Sequence, residues 1–325
     1  MKVFLTGGTG LIGSHVAERL RGRGDAVVAV VREGSDTAHL ESLGCQLAVG
    51  DVLDAPETTG RIMRGCDAVV HAAALVFQPA SRREYLRVNV EGTERVLRAA
   101  GLAAPRVVHV SSVAVYAGLS MERPLTEDRW MEADPDAQRA YAASKHLSER
   151  AAWRLHEAGD IRLTTVRPSV VYGERDRSAT PVIERWASLP VAPLPGGGRN
   201  ALPLVYAGNV AAAVVAALDR GASVGRAYNT ARDHPITGRE LLERIAELRG
   251  RRLRILPIPV APLAALTAAL TAVMGFVPGV RPRDLSRAVQ SLTVDNPYDS
   301  SRARLERGWH SLVPHAEGIR RTFGR

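Results

Sequence analysis

The first thirteen residues set the strongest limit on how this chain can fold. Residues 2–6 read as a short strand and run without a break into Thr6-Gly7-Gly8-Thr9-Gly10-Leu11-Ile12-Gly13, after which residues 13–23 carry a helical pattern. Gly7 allows a sharp turn, Gly10 leaves the turn without a side chain, and Gly13 lets the helix approach the strand closely. The helix that follows starts with unpartnered N–H groups and the positive end of its dipole, which together seat a phosphate. A glycine pattern alone is weak, but one set between a strand and a helix reads as the pyrophosphate turn of a dinucleotide site, with Thr9, Leu11 and Ile12 lining it beside the glycines.

The rest of the first half repeats the same unit. Residues 26–31, 46–49, 68–71, 107–111 and 162–166 are β-rich runs, and residues 91–100 and 140–157 are helical. Strands alternating with helices imply right-handed βαβ units, so the expected fold is α/β: a Rossmann-type doubly wound parallel sheet covered on both faces. Beyond Arg167-Pro168 the pattern loosens. Residues 190–198 read as a loop, and residues 204–206 with the helix 209–218 read as a return to the main sheet. Residues 237–248 form an amphipathic helix opened by a capping box, Thr237 with Glu240. The expected division is a dinucleotide-binding domain of 1–167 and about 201–229, and a smaller, discontinuous C-terminal substrate lobe of about 168–200 and 230–325.

Residues 255–280 carry no charge. Pro257, Pro259 and Pro262 break the start of this stretch, and Gly275 and Pro278 break its end. The helix-compatible part, 263–277, spans about 22 Å against roughly 30 Å of hydrocarbon. A buried helix or substrate lid is the first expectation, contact with a membrane surface the second and a true span the last.

Composition narrows the function classes. Apolar residues make up 46% and charged residues 24%, as in a soluble globular protein. A net charge of +9 suits nucleic acid, an anionic surface or a phosphorylated cofactor. The basic residues are scattered among acids with no aromatic interleaving, which sets nucleic acid aside. Cys45 and Cys66 have no metal-ligand spacing and make no disulfide framework, so neither a metal nor disulfides are expected. With no targeting pattern at the N-terminus, a reducing cytoplasm is the default, with a peripheral membrane position left open by residues 255–280.

The second strand ends in Val30-Val31-Arg32. A carboxylate at that tip would bind the adenosine ribose and favour NAD(H), whereas Arg32 can fork a 2′-phosphate. NADP(H) is therefore preferred over NAD(H), with Glu33 opposing. Asp51-Val52 follows the third strand, where an acid reaches the adenine amino group or simply makes an Asp turn. Ala72, Ala73 and Ala74 follow the fourth strand and let a cofactor approach the backbone, while His71 reads as a packed sheet histidine.

Tyr141 and Lys145 lie four apart on one helix, hence on one face. A tyrosine near pKa 10 is a poor proton donor at neutrality, and a neighbouring ammonium favours its phenolate. The chain has only two lysines, Lys2 and Lys145, and otherwise uses arginine for positive charge. A lysine kept at 145 points to a compact, tunable ammonium. Ser112, at the end of another strand, is placed to hold a substrate oxygen. The three together predict a carbonyl–alcohol proton relay beside a nicotinamide.

These motifs resemble the extended short-chain dehydrogenase/reductases, with Val70-His71-Ala72-Ala73-Ala74, Asn89-Val90-Glu91-Gly92-Thr93, Ser111-Ser112-Val113-Ala114-Val115-Tyr116, Tyr141-Ala142-Ala143-Ser144-Lys145 and Arg167-Pro168-Ser169-Val170-Val171-Tyr172-Gly173 carrying the likeness over most of residues 1–173. The resemblance implies that Ser112, Tyr141 and Lys145 are catalytic. It also implies that Ser111, Asn89, Pro168 and Ser169 line or support the cofactor site. It further implies a homodimer through helices 91–100 and 140–157. Dehydratases of this family carry an Asp-Glu pair after the catalytic Ser/Thr, where this chain has Val113 and Ala114. Sugar-nucleotide enzymes place Asn where Val170 stands. Residues 205–211, 298–303 and 308–309 are similar to the 3β-hydroxysteroid dehydrogenase and dihydroflavonol-reductase-like branch. The implied activity is ketone–alcohol oxidoreduction on a hydrophobic small molecule. An NAD-dependent sugar-nucleotide epimerase, for which Arg175, Arg177, Arg199 and Arg281 offer phosphate contacts, is the alternative. A non-catalytic NAD(P)-binding regulator is the distant one.

Overall fold

Nearly continuous apolar strands need cover on both faces, and the computed structural model meets that need with helices on each side. It describes residues 1–76, 78–103, 106–219, 221–231, 234–275 and 293–324. The first half runs β1 (Lys2–Thr6), α1 (Leu11–Gly22), β2 (Ala26–Val31), α2 (Ala38–Ser42), β3 (Gln46–Val49), α3 (Pro56–Met63), β4 (Ala68–His71), α4 (Arg82–Tyr85), α5 (Gly92–Ala103), β5 (Arg106–Val110), α6 (Ala140–Glu157) and β6 (Arg162–Pro168). The second half contributes β7 (Val170–Tyr172), α7 (Ala179–Ala187), β8 (Val191–Pro195), β9 (Leu204–Tyr206), α8 (Ala207–Asp219), β10 (Arg226–Thr230), α9 (Gly238–Leu248), β11 (Arg254–Ile258) and α10 (Val260–Gly275), then helices Ser301–Arg307 and His315–Phe323.

Seven strands form one parallel sheet in the order β10-β6-β5-β4-β1-β2-β3. The order reverses at β1 and β4, and the crevice beyond their C-terminal ends is where doubly wound sheets bind ligands. Side chains alternate strictly. Val3, Leu5, Val27, Ala29, Val70 and Val108 pack on one face with Val16 and Leu20 of α1 and Val210 and Val214 of α8. Phe4, Val28, Val69, Val107 and Leu163 pack on the other with Val96 and Leu97 of α5 and Ala152 and Leu155 of α6.

Outside this sheet the chain departs from the sequence reading in three places. Leu204–Tyr206 does not return to the main sheet; it pairs in parallel with β7 as a separate two-stranded sheet. The expected loop at 191–195 is a strand, β8, paired in parallel with β11. Its prolines mask it in the sequence, and a two-stranded sheet tolerates them because each strand has a free edge. The main sheet is instead completed by β10, whose Tyr228, Asn229 and Thr230 gave no apolar run to read. A further apolar cluster, with Tyr172, Leu194, Leu204, Ile236, Leu242, Ile245 and Phe323, joins β7–β9 to α9 and the last helix. The capping box is present: Thr237 Oγ1 accepts from Glu240 N at 3.1 Å, and Glu240 Oε2 accepts from Thr237 N at 2.9 Å.

The described start of the uncharged stretch, expected as a buried helix or substrate lid, is largely exposed. The stretch starts in β11, and the described part of α10 exposes Ala261, Ala265 and Leu266, the last at 57%. Among the described residues no helix is long and apolar enough to cross a membrane. Residues 276–280 and Arg281 lie outside the described residues.

Candidate active site

The glycine turn is built as its spacing requires. Gly7 sits at φ +75°, and a Cβ there would lie 2.6 Å from Ala73 N and 2.7 Å from the Ala72 carbonyl carbon. A Cβ on Gly13 would lie 2.0 Å from Gly7 O. Turn, helix and the chain leaving β4 therefore meet backbone to backbone. Gly10 precedes α1 without a side-chain cap, and no acid occupies the first helical turn, so the positive end of the helix is left for an anion. Thr6 closes the turn from below: its hydroxyl hydrogen-bonds His71 Nδ1 at 2.7 Å and accepts from Ala73 N at 3.3 Å. This cradle fits a dinucleotide pyrophosphate.

Along the crevice from that turn, Thr9, Arg32, Glu33, Gly34, Ser35, Asp36 and Arg177 line a cleft of about 450 Å³. Arg32 follows β2 directly and stands exposed. Asp51 makes an Asp turn, with Oδ1 accepting from Leu53 N at 2.9 Å. Val52 is half-buried and packs on the α5 side of the core.

Asn89 lies on a π-helical turn, Leu86–Glu91, of the kind that interrupts helices near functional sites. Its amide donates to Leu75 O at 3.0 Å and to Ser144 Oγ at 2.8 Å and accepts from Leu75 N at 2.7 Å. It thus ties the segment after Ala74 to α6, one turn from Tyr141. Pro168 ends β6 opposite Thr230, and Ser169 Oγ donates to Ala231 O at 3.3 Å. Ser111 is buried beyond β5, its N–H donating to Val166 O at 2.8 Å.

Ser112 and Tyr141 come together, close enough for the serine hydroxyl to act on the phenol. Ser112 is extended (φ −163°), and its Oγ also accepts from Ala114 N at 3.1 Å, which fixes the hydroxyl. Burial pushes the Tyr141 phenol up to about 12, opposed by the Ser112 hydroxyl. The ammonium that was expected to lower it is turned away: Lys145 Nζ donates to Val110 O at 2.9 Å. A buried ammonium needs a partner, and the carbonyl ending β5 supplies one. Burial in turn brings Lys145 down to about 8, against the upward pull of Glu149. His71 stacks on His109 with centroids 5.5 Å apart and hydrogen-bonds Thr93 Oγ1 at 2.9 Å. Burial, with the charge of Lys145, holds His71 down to about 3, so it is a neutral packed histidine.

One residue the sequence reading missed is Glu149, a turn beyond Lys145. It forms an ion pair with Arg167 in which both side chains are 0% exposed. Arg167 Nε donates to Glu149 Oε1 at 3.0 Å and Oε2 at 3.1 Å, and Nη1 donates to Tyr116 Oη and Glu127 O, both at 2.7 Å. Tyr116 then donates to Asn229 Oδ1 at 2.8 Å. The pair therefore locks α6 to β6, β10 and the turn after Ser112. The i, i+4 step from Tyr141 through Lys145 to Glu149 was the available signal.

A model of the NAD dependent epimerase/dehydratase family matches residues 3–231. The 4-hydroxy-2-methyl-3-oxo-4-farnesyl-3,4-dihydroquinoline-1-oxide ketoreductase of Stigmatella aurantiaca is 32% identical over 331 residues, covering 98% of this chain and 95% of that protein. The 2-alkyl-3-oxoalkanoate reductase of Shewanella oneidensis is 27% identical over 335 residues, covering 98% and 84%. The crystal structure of gox2253 is similar in fold, with a TM-score of 0.82 at 24% identity, covering 98% of this chain and 96% of that one. A match across most of the chain and a relative 32% identical over nearly all of it carry the conclusion: this protein belongs to the NAD dependent epimerase/dehydratase family, as an extended short-chain dehydrogenase/reductase and an NAD(P)-dependent enzyme of the oxidoreductase type.

Proposed function

We propose that the protein is an NADP(H)-preferring oxidoreductase that interconverts a ketone and a secondary alcohol on a hydrophobic, sterol-, polyketide- or lipid-like substrate. The observation that carries this reading is that Ser112 and Tyr141 come together one helical turn from a buried Lys145. Gly7, Gly10, Gly13 and the first turn of α1 would hold the pyrophosphate, and Arg32 a 2′-phosphate. The nicotinamide, when bound, supplies the hydride in reduction and accepts it in oxidation. Tyr141 gives its proton to the carbonyl oxygen, and Ser112 holds that oxygen by its hydroxyl. For the Lys145 ammonium, charged below about pH 8, to stabilise the phenolate left on Tyr141, its Nζ must turn from Val110 O toward the phenol during turnover. Val113 and Ala114 offer no acid–base pair for eliminating water.

A hydrophobic substrate is supported by the two relatives, whose names carry a 3-oxo group with a farnesyl or an alkyl chain. We assign its binding to the lobe formed by about 168–200 and 230–325, and a homodimer to α5 and α6, where Leu102 is exposed. The exposed Leu256 and Leu266 suit contact with a membrane surface, and the free, buried Cys45 and Cys66 suit a reducing cytoplasm. The test is Tyr141→Phe. Turnover of a long-chain 3-oxo ester falls by about 100-fold or more while cofactor binding stays. Undiminished turnover in the folded variant would end the proposal.

A further inference from the structure

The cleft at the end of β2 holds two arginines from opposite ends of the fold. Arg32 belongs to the strand tip, and Arg177 arrives from the segment between β7 and α7. By itself Arg32 faces two carboxylates in that cleft, Glu33 and Asp36, a setting hostile to a dianion. Arg177 offsets the second carboxylate. Its Nη2 lies 3.5 Å from Asp36 Oδ2, with the two side chains 79% and 69% exposed. An ion pair so open to water contributes little and exchanges readily for a better partner.

The backbone that delivers Arg177 is held on both sides. Arg175 takes a left-handed conformation, φ +69°, alone among the described non-glycine residues. Its Nε donates to Ser14 Oγ at 2.9 Å and its Nη2 to Glu18 Oε2 at 2.9 Å, both on α1. Glu174 Oε2 lies 3.3 Å from His15 Nε2, also on α1, and accepts from Tyr206 Oη at 2.8 Å. Asp176 accepts from Ser178 N at 2.8 Å and Thr180 N at 2.7 Å, fixing the start of α7. The segment is thereby clamped to the helix that opens the dinucleotide site, with Arg177 brought to the same cleft as Thr9 of the glycine turn.

We propose that Arg177 is the second arm of the 2′-phosphate site: it leaves Asp36 and, with Arg32, forks the phosphate of NADP(H). This rests on the NADP(H) reading above. A guanidinium from the second segment would make cofactor choice depend on how that segment docks on α1, as well as on the tip of β2.

The test is calorimetry of the full chain with two probes, adenosine 2′,5′-bisphosphate and adenosine 5′-monophosphate. Arg177 is exposed, so Arg177→Ala leaves folding intact. Loss of one charge-assisted phosphate contact weakens the bisphosphate by about 10- to 100-fold and leaves the monophosphate unchanged. Asp36→Asn, which frees Arg177 and removes an opposing charge, tightens the bisphosphate. If Arg32→Ala weakens the bisphosphate and Arg177→Ala does not, the NADP(H) reading stands and the role of Arg177 is overturned. Equal losses for both probes in Arg177→Ala, or weaker bisphosphate binding in Asp36→Asn, also overturn it. A wild-type protein that binds both probes equally overturns both proposals.

Discussion

Glu149→Ala strips Arg167 of its counter-charge at a site with no water to replace it. The guanidinium is 0% exposed, and it would lose the bonds at 3.0 and 3.1 Å from Nε and at 2.5 Å from Nη2. It would keep Nη1 on Tyr116 Oη and Glu127 O, and the faces of Trp130 and Tyr116 at 5.1 and 5.4 Å. Removing one partner of a buried pair costs about 3–5 kcal/mol, roughly two to four powers of ten in the folding equilibrium. Urea denaturation at neutral pH, read by tryptophan fluorescence, measures it. The double variant Glu149→Leu/Arg167→Met removes both charges and recovers most of that loss. A second readout is Lys145, whose proton affinity Glu149 raises; in any folded Glu149→Ala protein the high-pH limb of activity moves to lower pH. A single variant within about 1 kcal/mol of wild type, or a double variant no better than the single, would show that the pair is not interdependent in the core.

Three further outcomes are expected. Gly13→Ala places a Cβ 2.0 Å from Gly7 O; backbone cannot rotate away, so α1 shifts, with a stability cost of about 1–3 kcal/mol and loss of cofactor affinity by calorimetry, and an unchanged affinity would contradict the cradle. Lys145, lowered by burial to about 8, is charged below that pH and loses its proton above it; ketone reduction therefore falls as pH rises through about 8, while Lys145→Arg, slower overall, shows no such fall, and a wild-type rate flat to pH 10 would argue against the assignment. Thr237→Ala breaks the capping box of α9 and lowers stability by about 1 kcal/mol, and a change below a few tenths would show that the cap is not formed in solution.

The half of the molecule that was legible in the sequence is the half where local pattern and topology agree. β1, β2, β3 and β4 run where their apolar residues lie; in β1, β2 and β4 burial on both faces makes that apolar run nearly continuous, while β3 at the sheet edge is short and partly exposed. The second half was harder because its strands are short and carry polar residues or prolines. Nothing local in Leu204–Tyr206 says that it pairs with β7, and nothing in Arg226–Thr230 says that it edges the main sheet. At the site, the residue types and spacings were legible, but the rotamers were not. Lys145 was expected on Tyr141 and is on Val110 O, because which acceptor a buried ammonium finds depends on the strand beneath its helix. Glu149 was missed for a related reason, its partner Arg167 being distant in sequence, and Arg177 was read as a phosphate contact of the epimerase alternative without its cleft or its partner Asp36.

The proposed activity requires net hydride transfer to a ketone. It is tested most directly by incubating the full chain with NADPH carrying deuterium at the transferable position of the nicotinamide and a long-chain 3-oxo ester, and following cofactor and product by mass spectrometry. One deuterium at the carbinol carbon is expected for each NADPH oxidised, with the hydroxyl proton drawn from solvent. A protein that instead retains NAD through purification, turns over a nucleotide sugar and consumes no cofactor would contradict it and leave the epimerase reading in its place.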